Sequence, residues 1–425
     1  MSATLTRTFE SLQVRNYRLF FGGQVVSWTG TWVQWVAQGW LVLELTNSSL
    51  GLGVVTAMQW LPVLLFGAWA GVIADRFDKR RLLLATNGTS ALLSLTLGIV
   101  TVAGAVELWI VIVVALALGL VTAIDNPTRQ TFTLEMVGRR RLTNAVSLNT
   151  ATFTTARVIG PAVAALLIEG VGTGECFLVN AASFVPITFA LLAMDPNELH
   201  KSESVVEQTR GMVREGLRYV ASKPVLRTLM TMMAVIGTLQ YNFQVILPVL
   251  ARETFAGDAG TFGLLGSALG IGMFAGSMGN ATFGRPARDV LLVAGAALGL
   301  LTVLLAFAPV VWVAVALMIP LGASSMAFLA TMNSSLQLES SDQMRGRVMA
   351  LYFVLFLGST PVGAPIIGWI AEAIDPRAAL GLGAAATLAG CLYGWLKLPA
   401  YSFDRAGEAS EIAPHRPHRT ASWRG

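Results

Sequence analysis

The sequence predicts an all-α membrane protein: twelve transmembrane helices in two pseudo-symmetric six-helix bundles. Three observations carry this. Hydrophobic residues make up 54% of the 425 and charged residues only 12%, about half the charged share of a soluble domain. Apolar runs of bilayer length recur along the whole chain. A basic turn followed by an apolar span occurs in each half, with both copies running in the same direction, which is the pattern of a parallel repeat.

Taken in order, residues 1–18 form a polar, basic segment with interleaved Phe9, Leu12 and Leu19, expected to approach the membrane surface. No cleavable signal is expected, because the first apolar run is too long for one. Six spans follow at roughly 19–45, 49–74, 82–105, 107–128, 143–169 and 174–194, making a first bundle over 19–194. A polar linker covers 195–224, with Val213, Leu217 and Val220 on one face of a helix expected along the membrane. Six more spans lie at roughly 225–250, 260–283, 289–308, 310–331, 346–371 and 377–398, a second bundle over 225–398. The Pro-, Arg-, Ser- and His-rich tail, 399–425, reads as disordered.

An even number of spans puts both termini on one side. Of the 29 Lys and Arg, all but Arg157, Arg252 and Arg377 then fall on that side, so both termini are expected in the cytoplasm. The net charge of +5 reflects these loops and implies no nucleic-acid partner. Cys176 and Cys391 fall in apolar spans and suggest neither a disulfide nor a metal site. The three histidines lie in loops or the tail, which argues against an enzyme, and no phosphate-binding G-x-x-x-x-G-K-[ST] sequence occurs. No cofactor is expected, and any pumping must draw on an ion gradient.

The turn Gly71-Val72-Ile73-Ala74-Asp75-Arg76-Phe77-Asp78-Lys79-Arg80-Arg81 joins two ion-free runs. Gly67, Gly71 and Ala74 recur at helical spacing, so a neighbouring helix can come close there. The stretch resembles the loop 2–3 signature of the major facilitator superfamily, with Gly71, Asp75, Arg76, Lys79 and Arg80 matching and Asp78 in place of a second Gly. Further pieces resemble one subgroup, the transmembrane secretion effectors, which includes enterobactin-exporter and macrolide-efflux relatives. These pieces are Asn16-Tyr17-Arg18-Leu19-Phe20-Phe21-Gly22-Gly23-Gln24, Gly30-Thr31-Trp32, Ala37-Gln38-Gly39-Trp40-Leu41, Asp125-Asn126-Pro127-Thr128-Arg129-Gln130, Asn144-Ala145-Val146 and Gly160-Pro161.

The resemblance implies a monomeric transporter of the bacterial inner membrane that exports amphipathic small molecules by alternating access, with protons as coupling ion and lipid around it. It also implies a cytoplasmic charge lock of Asp75, the loop cations and Asp125 with Arg129. Such a lock closes the cytoplasmic side and must break when that side opens. Helices 1, 4, 7 and 10 are implied to line the cavity. Span 1 carries Gln24, Trp28, Thr31, Trp35 and Gln38 on one helical face. Span 7 carries Gln240, Tyr241 and Gln244. These groups read as cavity lining or as glue between helices. Arg157, near the middle of span 5, must face protein or water, because a cation there costs about 2.5–3.5 kcal/mol on insertion scales. It reads as a contact for an anionic or hydrogen-bond-accepting substrate, or as architecture. Gly160-Pro161 reads as a helix bend. No carboxylate falls near the middle of any span. A dedicated metabolite exporter, a lysolipid flippase or importer, and a non-transporting scaffold stand as rivals.

Overall fold

The computed structural model describes residues 9–200, 212–283 and 288–399. Segments 1–8, 201–211, 284–287 and 400–425, with most of the expected tail and part of the linker, lie outside the described residues. The described chain is almost wholly helical. The helices are α1 (Arg15–Thr46), α2 (Ser49–Arg76), α3 (Lys79–Val102), α4 (Leu108–Gly170), α5 (Thr173–Ala193), α6 (Met212–Ser222) and α7 (Pro224–Gln240). They continue as α8 (Phe243–Val249), α9 (Ala259–Phe283), α10 (Arg288–Ala306), α11 (Val311–Glu339), α12 (Asp342–Leu357), α13 (Thr360–Ala373) and α14 (Pro376–Lys397).

Among the described residues, ten segments are long and apolar enough to cross a membrane. Two further crossings come from α1 and α4. α1 is 32 residues long, and its low mean hydropathy reflects polar groups turned inward. Gln34 on α1 accepts hydrogen bonds from Ser94 Oγ (2.6 Å) on α3 and from Asn180 Nδ2 (2.5 Å) on α5, so these groups hold three helices together. α4 holds 63 residues, about 95 Å if straight, and it is not straight. Gly138 has φ 68° and ψ 171°, outside the helical region. Asn149 Nδ2 donates back to Thr133 Oγ1 (3.4 Å), so two arms run side by side. Glycine takes this conformation without the penalty a Cβ would bring. The expected basic turn 139–141 therefore lies on the start of the second arm.

Two expected unbroken spans are interrupted. Span 7 breaks between α7 and α8, where Tyr241 (φ −86°, ψ 32°) and Asn242 (φ −99°, ψ 39°) leave the helix. Span 11 breaks at Gly358 and Ser359, between α12 and α13. Asn242, Gly358 and Ser359 are buried, so both interruptions lie within protein.

The flanking segments are fastened to protein. Residues Glu10–Gln13 form a 3-10 turn in which Ser11 N donates to Asn144 Oδ1 (3.0 Å) and Ser11 Oγ to the Arg141 carbonyl (3.1 Å). This anchors the described end of the N-terminal segment on α4 where a membrane-surface helix was expected. α6 rests on α12: Arg347 pairs with Glu215 at 2.7 Å and Tyr219 Oη donates to Ser341 Oγ at 3.4 Å. Val220 is buried, whereas Leu217 on the expected same face is exposed.

Helices α1–α5 pack on one another, and α7–α14 pack on one another. The basic turns 76–81, 139–141 and 345–347 lie at the same end of the molecule, here termed the basic end.

Candidate functional site

Contacts between the two helix sets are concentrated away from the basic end. There α2 meets α13 and the second arm of α4 meets α9. Small residues make this possible. A methyl at Gly53 would lie 2.5 Å from the Ala364 carbonyl oxygen, and one at Gly368 would lie 2.4 Å from that of Ser49. On the other flank a methyl at Gly263 would lie 2.7 Å from the Pro161 carbonyl oxygen. Hydrogen bonds add to the seal. Leu50 N donates to Glu372 Oε2 (2.9 Å), and Ser48 Oγ donates to the same oxygen. Ser49 Oγ donates to Glu253 Oε1 (3.0 Å), and Ser267 Oγ to the Val158 carbonyl (3.0 Å). Toward the basic end, a methyl at Gly67, Gly71, Gly279 or Gly346 meets nothing within 4 Å. The close approach expected at Gly67 and Gly71 is absent in this state, although Ala74 is buried. The molecule is closed at one end and open at the basic end.

Inside the opening, α1 presents an aromatic wall. Trp32 lies 4.7 Å from Trp35, which lies 6.2 Å from Trp60 on α2. Trp28 and Trp32 both meet Phe153, at 5.5 and 5.8 Å between centroids. Trp60 Nε1 donates to Gln244 Oε1 across the two helix sets (3.3 Å), and Gln38 Nε2 donates to Gln59 Oε1 (3.3 Å). Thr31 is half-buried and bonds within its own helix to Ser27. Gln24 is buried, and neither its amide nitrogen nor its oxygen has a partner among the described residues.

Arg157 reaches this wall. Its guanidinium lies over the Trp32 ring, 5.3 Å from the centroid. It is half-buried and keeps part of its surface accessible. Tyr241 Oη donates to the Ser325 carbonyl (3.0 Å), which ties the span 7 break to α11. Gln240 does not line this opening. It donates to Thr302 Oγ1 (2.8 Å) and accepts from Thr387 Oγ1 (3.3 Å), so it bridges α7 to α10 and α14. One residue of helical rotation separates it from Tyr241, and short-range spacing could not decide between them.

Gly160 and Pro161 are packing positions. A methyl at Gly160 would lie 2.3 Å from Trp32 Cβ, and Pro161 abuts Gly263 and Gly266 on α9. Both keep helical geometry, and Gly138 is the non-helical position in α4.

The charged residues near the basic end form separate contacts. Arg129 pairs with Asp125 (2.8 Å), which also accepts from Thr86 Oγ1 (2.7 Å), and Arg129 lies over Phe20. Lys79 pairs with Glu135 at 2.8 Å, a partner that sequence inspection missed because Glu135 follows the first apolar stretch of α4 by several residues. Arg80 donates to the Leu191 and Leu192 carbonyls (2.6 and 2.9 Å), the open C-terminal end of α5. Asp78 caps α3 by accepting from Arg81 N (2.9 Å) at φ −59°, so no left-handed residue is required there. Asp75 and Arg76 are exposed and, among the described residues, have no ion-pair partner within 4.0 Å. The expected cluster of Asp75 with Asp125 and Arg129 is not assembled in this open state.

Comparison with known proteins places this geometry. The family model described as transmembrane secretion effector matches residues 6–418. The Staphyloferrin A transporter of Staphylococcus aureus is 26% identical over 60% of this chain and 64% of its own length, just under two-thirds. The multidrug efflux pump Tap of Mycolicibacterium fortuitum is 27% identical over 81% of this chain and 86% of its own length. The crystal structure of the nucleoside transporter NupG, D323A mutant, superposes with a TM-score of 0.72 at 14% identity, covering 91% of this chain and 100% of that one. The chain therefore belongs to the transmembrane secretion effector family of major facilitator transporters.

Proposed function

We propose that this protein is a secondary transporter that exports amphipathic small molecules from the cytoplasm by alternating access. The observation that carries the reading is the one-ended seal: inter-bundle contacts hold one end shut, while an aromatic and polar cavity opens toward the basic end. The positive charge bias puts the basic end and both termini in the cytoplasm, so this is the inward-open state of a monomer with bundles over 19–194 and 225–398. Asp75, freed here, rejoins the loop cations and the Asp125–Arg129 pair when the cytoplasmic side closes. Protons are the proposed coupling ion, and the inner membrane of a bacterium the proposed location.

The test is proton movement in energised everted vesicles, followed with a pH-sensitive dye while cationic, neutral and anionic compounds are added. Proton release from the lumen that needs both a compound and an intact Asp75 supports antiport. Absence of any compound-dependent transport overturns the exporter reading. A second reading, export of one dedicated metabolite, is favoured by the match to a protein named for a single compound. Under that reading, competition is confined to close analogues of one substrate.

A further inference from the structure

Beside the aromatic wall lies a cation that, among the described residues, has no counter-charge. Among the described residues Arg157 has no carboxylate within 4.0 Å and no hydrogen-bond partner; the contact it makes is with the Trp32 ring. Three acids on its helix or at the adjoining seal are engaged elsewhere. Asp125 is held by Arg129 and Thr86, Glu253 by Ser49, and Glu372 by Ser48 and Leu50. A second donor beside Arg157 is also unused: Trp32 Nε1 is buried and has no acceptor. Trp60 Nε1 differs, since Gln244 accepts from it. Buried donors without acceptors are unfavourable by about 1–3 kcal/mol each, and a membrane cation without an anion is more so. Both deficits are met by one ligand group that is acceptor-rich and negatively charged.

We propose that Arg157 and Trp32 form the recognition point for an amphipathic organic anion. This rests on the exporter reading and names its substrate class. The guanidinium takes two oxygens of a carboxylate, phosphate or similar group in its planar fork. The Trp32 N–H donates to the same group. Trp28, Trp35, Trp60 and Phe153 cover the apolar body, with ring contacts of 4.7–6.2 Å already forming that wall. The anion comes from a free organic acid or from the headgroup of a lysolipid; both present the same chemistry to this pair.

The test uses purified full-length protein in neutral-lipid proteoliposomes. Equilibrium binding and transport are measured for 1-naphthoate, 1-naphthamide, 1-naphthylmethylammonium and lysophosphatidylglycerol. We expect at least one of the two anions to bind about ten-fold or more tighter than the amide, the ratio for one or two charge-assisted hydrogen bonds. Arg157→Gln removes that preference and leaves amide binding within about two-fold, while Arg157→Lys keeps part of it. Trp32→Phe, which keeps an aromatic face but deletes the indole N–H, weakens anion binding about five-fold. Tighter binding of naphthoate assigns a free acid, and tighter binding of lysophosphatidylglycerol assigns a lipid headgroup. Equal affinity for all four probes, or equal loss for all of them in a monodisperse Arg157→Gln protein, overturns the proposal. Transport of neutral or cationic probes without anion preference overturns it while the exporter reading stands. Arg157-dependent anion binding without transport of any probe leaves the recognition site standing and counts against export.

Discussion

Lys79 and Glu135 show how a single residue pair acts in this protein. Both side chains are about nine-tenths buried and 2.8 Å apart. Removing one partner of such a pair leaves a buried charge and costs about 3–5 kcal/mol, whereas replacing both with apolar residues is often neutral. We therefore expect Glu135→Gln to lower the thermal unfolding midpoint sharply and Lys79→Met with Glu135→Leu to restore most of it; an additive double variant would show that the pair is not coupled. Gly160 offers a steric test. A methyl there meets Trp32 Cβ at 2.3 Å with helix backbone on both sides. Gly160→Ala is expected to destabilise by about 1–3 kcal/mol and to displace the aromatic wall, read as lower stability and altered probe binding together. Glu10 is a surface case. Hydrogen bonds from Arg140 and Arg141 hold its carboxyl below the ordinary range. A folded value below the unfolded one means the clip is fully formed at neutral pH and is lost only as pH falls through the acid range. Proteolysis near residues 9–14 should accelerate there and not between pH 6 and 8.

The elements that matter most are the ones sequence periodicity describes least well. α2 is a single helix whose two ends have different surroundings. Its first turns lie against α13 through Gly53 and Gly368, and its last turns carry Gly67 and Gly71 with nothing against them. Glu372 fastens the closed end to α2 through Ser48 and Leu50. Glu372→Gln keeps the shape and weakens both bonds, so it should shift the population away from the state seen here. Spin labels at Gly71→Cys and Gly346→Cys, both in open space, read this as a shorter-distance population that grows in the variant; an unchanged distance distribution removes Glu372 from the gate. The native Cys176 and Cys391 are buried. Asp75→Asn is expected to abolish export while leaving insertion intact, because the proposed lock needs its carboxylate when the cytoplasmic side closes. Wild-type export from that variant removes the lock role.

At the scale of the whole molecule, the composition and the recurrent apolar runs were sufficient for the membrane class and the span count, and the charge bias for an expectation of orientation. These properties depend on the local cost of putting polar groups and charges into hydrocarbon, and that cost is written residue by residue. The unpaired condition of Arg157 was also legible, because no acid lies at its depth along the chain. Other features depended on which residues meet across helices distant in sequence. Gln240 and Tyr241 are adjacent, yet one bridges α10 and α14 while the other bonds to Ser325 on α11 and packs on Phe356. Trp32 and Trp35 carry the aromatic wall, and Gln34 at similar spacing is structural glue. Glu135 finds Lys79 because the first arm of α4 runs back beside α3. Apolar periodicity says that a helix has an inner face. It cannot say which neighbour that face meets, nor at which end two bundles touch, because both are set by close packing between segments hundreds of residues apart. The sequence by itself determined a twelve-span transporter with an uncompensated membrane cation; only the tertiary structure decided that its seal lies at one end and that the cation meets an indole.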